Sequence, residues 1–166
     1  MIKAFFENLP LIPVGVEPDA SEFARIAAAM TLLAKSLDLD KEKFPEAVSG
    51  QELLYPLHVG EDGPALYLVS DAAGVQGAPH EHQTWAVIAG ISGNEVNEVF
   101  QIRDPQTRVV APVSKREIQS MGVLCMRSNE IHATYAAGPQ ATYHLHLYGK
   151  PLHRLPPYPS RCYTEG

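Results

Sequence analysis

His80 and His82, separated by one residue, and His132, fifty residues on, are the side chains of this sequence best placed to do chemistry. Successive side chains of an extended strand alternate between faces, so His80 and His82 share one face. Two imidazoles on one face can grip one metal ion, and a third from a distant strand completes a facial set. Three neutral ligands leave coordination positions open for substrate and oxygen, as a catalytic metal requires and a closed structural site does not provide. A second pattern lies in the run Ala141–Tyr148. Tyr143, Leu145 and Leu147 fall on one side of an extended strand, and Thr142, His144, His146 and Tyr148 on the other. Three polar rings on one inward face are costly unless paired, so this face is expected to line a polar cavity.

These side chains need a scaffold, and the chain changes character at about residue 50. Before it, Phe23, Ile26, Ala27, Met30, Leu33 and Leu37 recur at helical spacing, which predicts a helix over 22–37 with Asp19 or Ser21 as its N-cap. A second short helix is expected over 41–48, ended by Ser49 and Gly50. After it come eight short β-type runs, at 53–58, 65–70, 84–89, 95–102, 108–111, 122–126, 132–136 and 141–148. The breaks at 60–63, 92–94, 104–105 and 137–139 carry turn residues. Such closely spaced strands predict an antiparallel sandwich or barrel of the jelly-roll type. The expected organisation is one domain over 1–166: an N-terminal helical segment (1–50), a β-barrel (51–150) and a Pro-rich tail (151–166) running irregularly over the surface.

Composition bounds the function. A chain of 166 residues, 45% apolar and 19% charged, is ordinary for a soluble globular protein. A net charge of −6 without any basic run argues against nucleic acid as a partner. Two cysteines are too few for a disulfide framework; Cys125, in an apolar run, reads as a core thiol and Cys162 as an exposed one. There is no long apolar leader and no run of eighteen apolar residues, so neither a secretory signal nor membrane contact is expected, and cytoplasmic residence is the default. The oligomeric state stays open between monomer and homodimer.

The histidine spacing resembles the first motif of the cupins, G-x5-H-x-H-x3/4-E-x6-G. Gly74, His80, His82 and Gly93 match, while Ala86 or Val87 stands where the acidic ligand belongs. The second motif is matched more loosely by the segment 129–132, in which Asn129 replaces a glycine whose left-handed backbone Asn tolerates. Without the glutamate, the chain resembles the thiol dioxygenases, the non-haem Fe(II) cupins that include cysteine dioxygenase and 3-mercaptopropionate dioxygenase. Residues 79–85 look like that family's P-x-H-D-H-T-x-W, residues 130–132 like G-D-I-H, and residues 144–149 like the strand that carries its Ser-His-Tyr relay.

The resemblance implies a mainly β, cupin double-stranded β-helix (a jelly-roll barrel) with an N-terminal pair of α-helices. It implies Fe(II) on His80, His82 and His132, with zinc or nickel possible in the purified protein. The reaction it implies adds both atoms of O2 to a small thiol, of cysteine or mercaptocarboxylate type, to give a sulfinate. His146 and Tyr148 match the relay His and Tyr, and His144 stands in place of the relay Ser, where it could bridge to His146 directly or through water. Val87 occupies the place of a cysteine that some relatives cross-link to the active-site Tyr, so no thioether is expected. The family's Y-x-R substrate motif is represented by Tyr55 but lacks its Arg. Arg154 is the first candidate to hold a substrate carboxylate, ahead of Arg127 and Arg103, and Trp85 is expected in the core. The competing readings are a metal-dependent isomerase and a small-molecule-binding or regulatory cupin.

Overall fold

A computed structural model describes all residues, 1–166. Two N-terminal helices, α1 (Ile2–Glu7) and α2 (Ala20–Ser36), precede nine strands: β1 (Glu52–His58), β2 (Ala65–Asp71), β3 (His80–Glu81), β4 (Ala86–Ser92), β5 (Asn94–Asp104), β6 (Val109–Ile118), β7 (Val123–Met126), β8 (Ile131–Ala137) and β9 (Thr142–Tyr148). A short helix, α3 (Tyr158–Arg161), and a final strand, β10 (Thr164–Glu165), follow. The strands form two five-stranded sheets, ordered β1-β2-β9-β4-β7 and β10-β6-β5-β8-β3. All pairings are antiparallel except that of β10 with β6.

The expected helix pair is present, but its members differ from those read off the sequence. Residues 41–48 form turns, with Asp40 accepting from the backbone of Glu42 and Lys43, and carry no helix. Asp-initiated turns compete with helix wherever no apolar stripe rewards one. The other helix of the pair is α1, whose one buried residue is Phe5.

Helix α2 starts at a capping box. Asp19 Oδ1 accepts from the backbone N–H groups of Ser21 and Glu22, and Glu22 Oε2 accepts from that of Asp19, each at 2.8 Å. Its stripe of Phe23, Ile26, Met30, Leu33 and Ala34 packs on the outer face of the first sheet, against Leu66, Leu68, Val87, Ala89, Tyr143, Leu145 and Leu147. Trp85 lies in the same core, edge-on to Phe23. This layer buries the odd side of β9 and frees the even side for the barrel interior.

Chain reversals are held by close backbone approaches. Gly93 has φ +77°, and a Cβ there would meet the backbone of Thr142 at 3.0 Å. Gly90 lies where the β4–β9 register shifts, its N–H donating to Gly122 O, and a Cβ there would collide with the carbonyl of Gln119. Asn129 does not take the left-handed conformation expected of it; the non-glycine residues with positive φ are Gln83, Arg108 and Met121. The turn before β8 is closed instead by Glu130, whose carboxylate accepts from Arg127 N.

The tail is not an irregular surface strand. After a 3-10 turn at Leu152–Arg154, α3 and β10 bring it back across the open end of the second sheet. Tyr163 N donates to Pro79 O, and Cys162 bridges His80. No helix is long and apolar enough to cross a membrane.

We expect Gly90→Ala to destabilise the fold by about 1–3 kcal/mol through overpacking against backbone that cannot rotate away. A fall in the urea midpoint with an unchanged slope is the expected signature, and an unchanged midpoint would contradict the close packing of β4 on the 119–122 turn.

Candidate metal centre

Strand β3 is only two residues long, yet its pairing with β8 sets His80 directly opposite His132. Gln83, in the left-handed region, turns the chain immediately after His82 and donates its N–H to Ser128 O. The three expected rings therefore converge. Their centroids lie 4.7–5.1 Å apart, and one nitrogen from each lies within 4.8 Å of the others.

Hydrogen bonds fix which nitrogens face the centre. The Nδ1–H of His80 donates to Ala78 O at 2.9 Å, leaving Nε2 as a lone pair. Nδ1 of His132 lies 2.8 Å from Asn97 Oδ1. Asn97 is itself oriented, because its amide NH2 donates to Glu95 Oε1 at 2.7 Å. His132 therefore carries its proton on Nδ1 and aims the Nε2 lone pair inward, 3.1 Å from His82 Nε2. Burial holds all three rings below the ordinary histidine pKa, His82 and His132 well below it; neighbouring rings add to the effect at those two, and Arg161 adds to it at His80. Neutral imidazoles with converging lone pairs fit a divalent cation, and the group is able to hold one.

No carboxylate joins them. Ala86, at the motif's acidic position, lies in the interior apolar cluster with Tyr148 and Ile88, while Val87 faces the helix layer. Cys125 pairs with Val87 on that outer side, its thiol directed to Phe23 O, so no thiol approaches Tyr148.

The cavity around the rings has a volume of about 500 Å³, and its lining includes Asp71, Gln76, Thr134, His146, Tyr148, Tyr158 and Arg161. On β9 the even residues do face the interior. Tyr148 OH lies 2.9 Å from His146 Nδ1, and its ring is 5.0 Å from that of His82. Burial pushes the Tyr148 phenol above its ordinary pKa and His146 down to about 3. No direct hydrogen bond joins His144 to His146. Their rings are 6.0 Å apart, and His144 turns instead to Glu95, with Nδ1 3.3 Å from Oε2 but not aligned for a hydrogen bond.

The substrate-binding expectations need correction. Tyr55 does not reach the cavity: it lies on the helix-side face of β1, its hydroxyl donating to Pro45 O and its ring against Phe44. Strand alternation gives the cavity Glu52 and Leu54 instead. Arg154 is also outside, held on the surface by Glu61 O at 3.0 Å and near Asp62 at 3.7 Å. Arg127 pairs with Glu17, and Arg103 is exposed.

The arginine that does reach the cavity is Arg161, from α3. It is 7% exposed. Its Nε and Nη1 donate to the carbonyls of Pro156 and Glu81, both at 2.9 Å. No carboxylate pairs with it, and its Nη2 makes no hydrogen bond within the chain. Nothing local in the sequence marks Arg161, because its position depends on the tail folding back. Asn97 and Glu95 sit two apart on one face of β5, but that strand also carries Asn94, Glu98, Gln101, Arg103 and Asp104, so no local signal singles them out.

Solved structures with a similar path share the barrel. They include a conserved protein of unknown function, SPY1581 of Streptococcus pyogenes, at 19% identity and TM-score 0.51 over 70% of this chain and 89% of that one. A Klebsiella pneumoniae protein with a double-stranded β-helix domain aligns at 11% identity and TM-score 0.53, over 69% and 85% of the two chains. A cupin 2 conserved barrel domain protein of Leptotrichia buccalis aligns at 14% and 0.53, over 68% of this chain and 47% of its own. No family model and no curated protein matches the chain.

Two variants probe the site. Asn97→Leu removes the acceptor that orients His132, and metal affinity is expected to fall about 10–100-fold in a chelator competition, with Asn97→Asp closer to the parent. Asp71 is a second probe. Burial and the nearby Glu52 and Glu95 raise it to about 7, above the ordinary value of 3.8. Between those values the folded protein holds a proton that the unfolded chain has lost, so stability falls as pH rises through this window. In metal-free protein, Asp71→Asn should raise Tm at pH 8 and flatten the decline between pH 4 and 7. A Tm that the substitution leaves unchanged at pH 8 would contradict this burial.

Proposed function

We propose that the protein, which has the cupin double-stranded β-helix fold and a three-histidine group able to hold a metal ion, is a non-haem Fe(II) thiol dioxygenase acting on a small carboxylate-bearing thiol. The observation that carries the reading is Arg161: a buried guanidinium without an acidic partner, lining the same cavity as three neutral imidazoles and a phenol. An unpaired buried cation is costly, and a bound carboxylate repays that cost with charge-assisted hydrogen bonds.

Bound at His80, His82 and His132, the metal supplies the oxygen activation and the thiol acidification that no side chain here provides. The chain's own residues bind, orient and shield. Arg161 Nη2 takes the carboxylate and so fixes the distance from the anion to the sulfur. The Tyr148 hydroxyl, buried beside His82, donates a hydrogen bond toward the negative charge at the reacting centre, and His146 Nδ1 sets the orientation of that hydroxyl. The Tyr158 ring, 5.0 Å from that of His80, covers the centre from the tail side and excludes water. The overall change is RSH + O2 → RSO2H: the O–O bond breaks, two S–O bonds form, and sulfur loses four electrons to oxygen.

The test is O2 uptake by iron-loaded protein with cysteine, 3-mercaptopropionate, mercaptosuccinate and cysteamine. Uptake with stoichiometric sulfinate is expected for one or more of the first three and not for cysteamine, which lacks a carboxylate. Arg161→Gln should raise KM about 10–100-fold, the loss of one charge-assisted contact, while kcat changes less. Tyr148→Phe should keep its iron and lower kcat, and His132→Ala should lose the iron of the three-histidine group and the activity together. No uptake with any thiol in a protein carrying one iron per chain would overturn the proposal.

A further inference from the structure

Deeper in the barrel, a second group of potential ligands shares no residue with the first. Glu95 of β5 and His144 and His146 of β9 offer one carboxylate oxygen and two ring nitrogens, all within 4.8 Å of one another. Their exposures are 1%, 0% and 7%. Four of their polar atoms have no hydrogen-bond partner: Glu95 Oε2, both nitrogens of His144, and His146 Nε2. A buried polar atom left without a hydrogen-bond partner has lost its water and gained nothing in return. A barrel gathering four of them at one point is expected only where something satisfies them together.

We propose that Glu95, His144 and His146 form a second site for a divalent first-row transition ion. Two imidazoles and a carboxylate are the donor set that such ions take with coordination positions to spare. Two further unpartnered oxygens come from the cross-strand pair Asp71 and Thr142, and Asp71 and Glu95 together match the charge of a divalent cation. The rest of the hydrogen bonding is consistent with this. Glu95 uses only Oε1 on Asn97, and His146 uses only Nδ1 on Tyr148, so each keeps its remaining atom for the ion. An ion on His146 Nε2 places the ring proton on Nδ1. Tyr148 then accepts from His146 and turns its own proton toward the first centre. In the same way Glu95 orients Asn97, and Asn97 orients His132. The second ion is thus a positioning element for the first site.

The site is independent of the thiol reading and is tested by stoichiometry. Chelator-stripped full-length protein is titrated with Co2+ and, separately, Zn2+, then desalted and assayed for metal. Two equivalents are expected for the parent, one for His144→Gln, one for His132→Ala and none for the double variant. Anomalous diffraction at the zinc edge should show a peak among Glu95, His144 and His146 of the parent, a result that does not depend on how any variant folds. One equivalent at saturation in the parent that survives in His144→Gln, or no anomalous peak among these three residues, overturns the second site. A single equivalent lost in His132→Ala but kept in His144→Gln leaves the first site standing, and the reverse pattern removes the first and keeps the second.

Discussion

The register between β3 and β8 supports everything at the cavity, because it sets His80 opposite His132 and so converts a spacing of fifty residues into a contact. Two residues of strand cannot hold such a register unaided. The tail supplies the rest: Tyr163 N donates to Pro79 O, Cys162 bridges His80, and β10 anchors the tail to β6. Arg161 completes the clamp by donating to Glu81 O. The segment that positions the three histidines thus also delivers the one arginine of the cavity, so the geometry of both depends on the same few residues.

The barrel interior is an uneven solvent. One end is apolar, with Ala65, Ala86, Ile88, Ile118, Leu124 and Met126. The other carries imidazoles, carboxyl groups, an amide and a phenol at nearly zero exposure. Burial drives each of these groups toward its neutral form, pushing histidines down and carboxyls up, with Glu95 and Asp71 both near 7. Neutral imidazoles are the form a cation needs, and carboxyls poised near neutrality can give up a proton as one binds. Arg161 is the exception: its guanidinium is held by the carbonyls of Pro156 and Glu81, with no carboxylate of the chain beside it.

Local pattern and long-range consequence separate cleanly along the chain. The stripe of α2 and its Asp19 cap were legible because helix period and capping are local. The alternation of β9 was legible for the same reason, and the odd residues do pack on the helix while the even ones face the cavity. Tyr55 was misread because a motif position was given weight over strand parity: on β1 the odd residues face the helix layer. Asn129 was misread because a side-chain contact, Glu130 to Arg127 N, closed the turn without left-handed backbone. His144 and His146, two apart on one face of β9, lie with their rings 6.0 Å apart and make no direct hydrogen bond.

The sequence by itself determined which side chains share a face and which runs become helix or strand, since those follow from backbone period and nearest neighbours. It also determined the three metal-ligand candidates, because their spacing is a strand property joined to a family pattern. Tertiary structure alone decided which arginine enters the cavity, that Asn97 and Glu95 stand behind His132, and that Glu95 meets His144 and His146. Those contacts join residues up to eighty positions apart, as in Arg161 to Glu81. They are settled by sheet register and by the return of the tail, which no local window of residues contains.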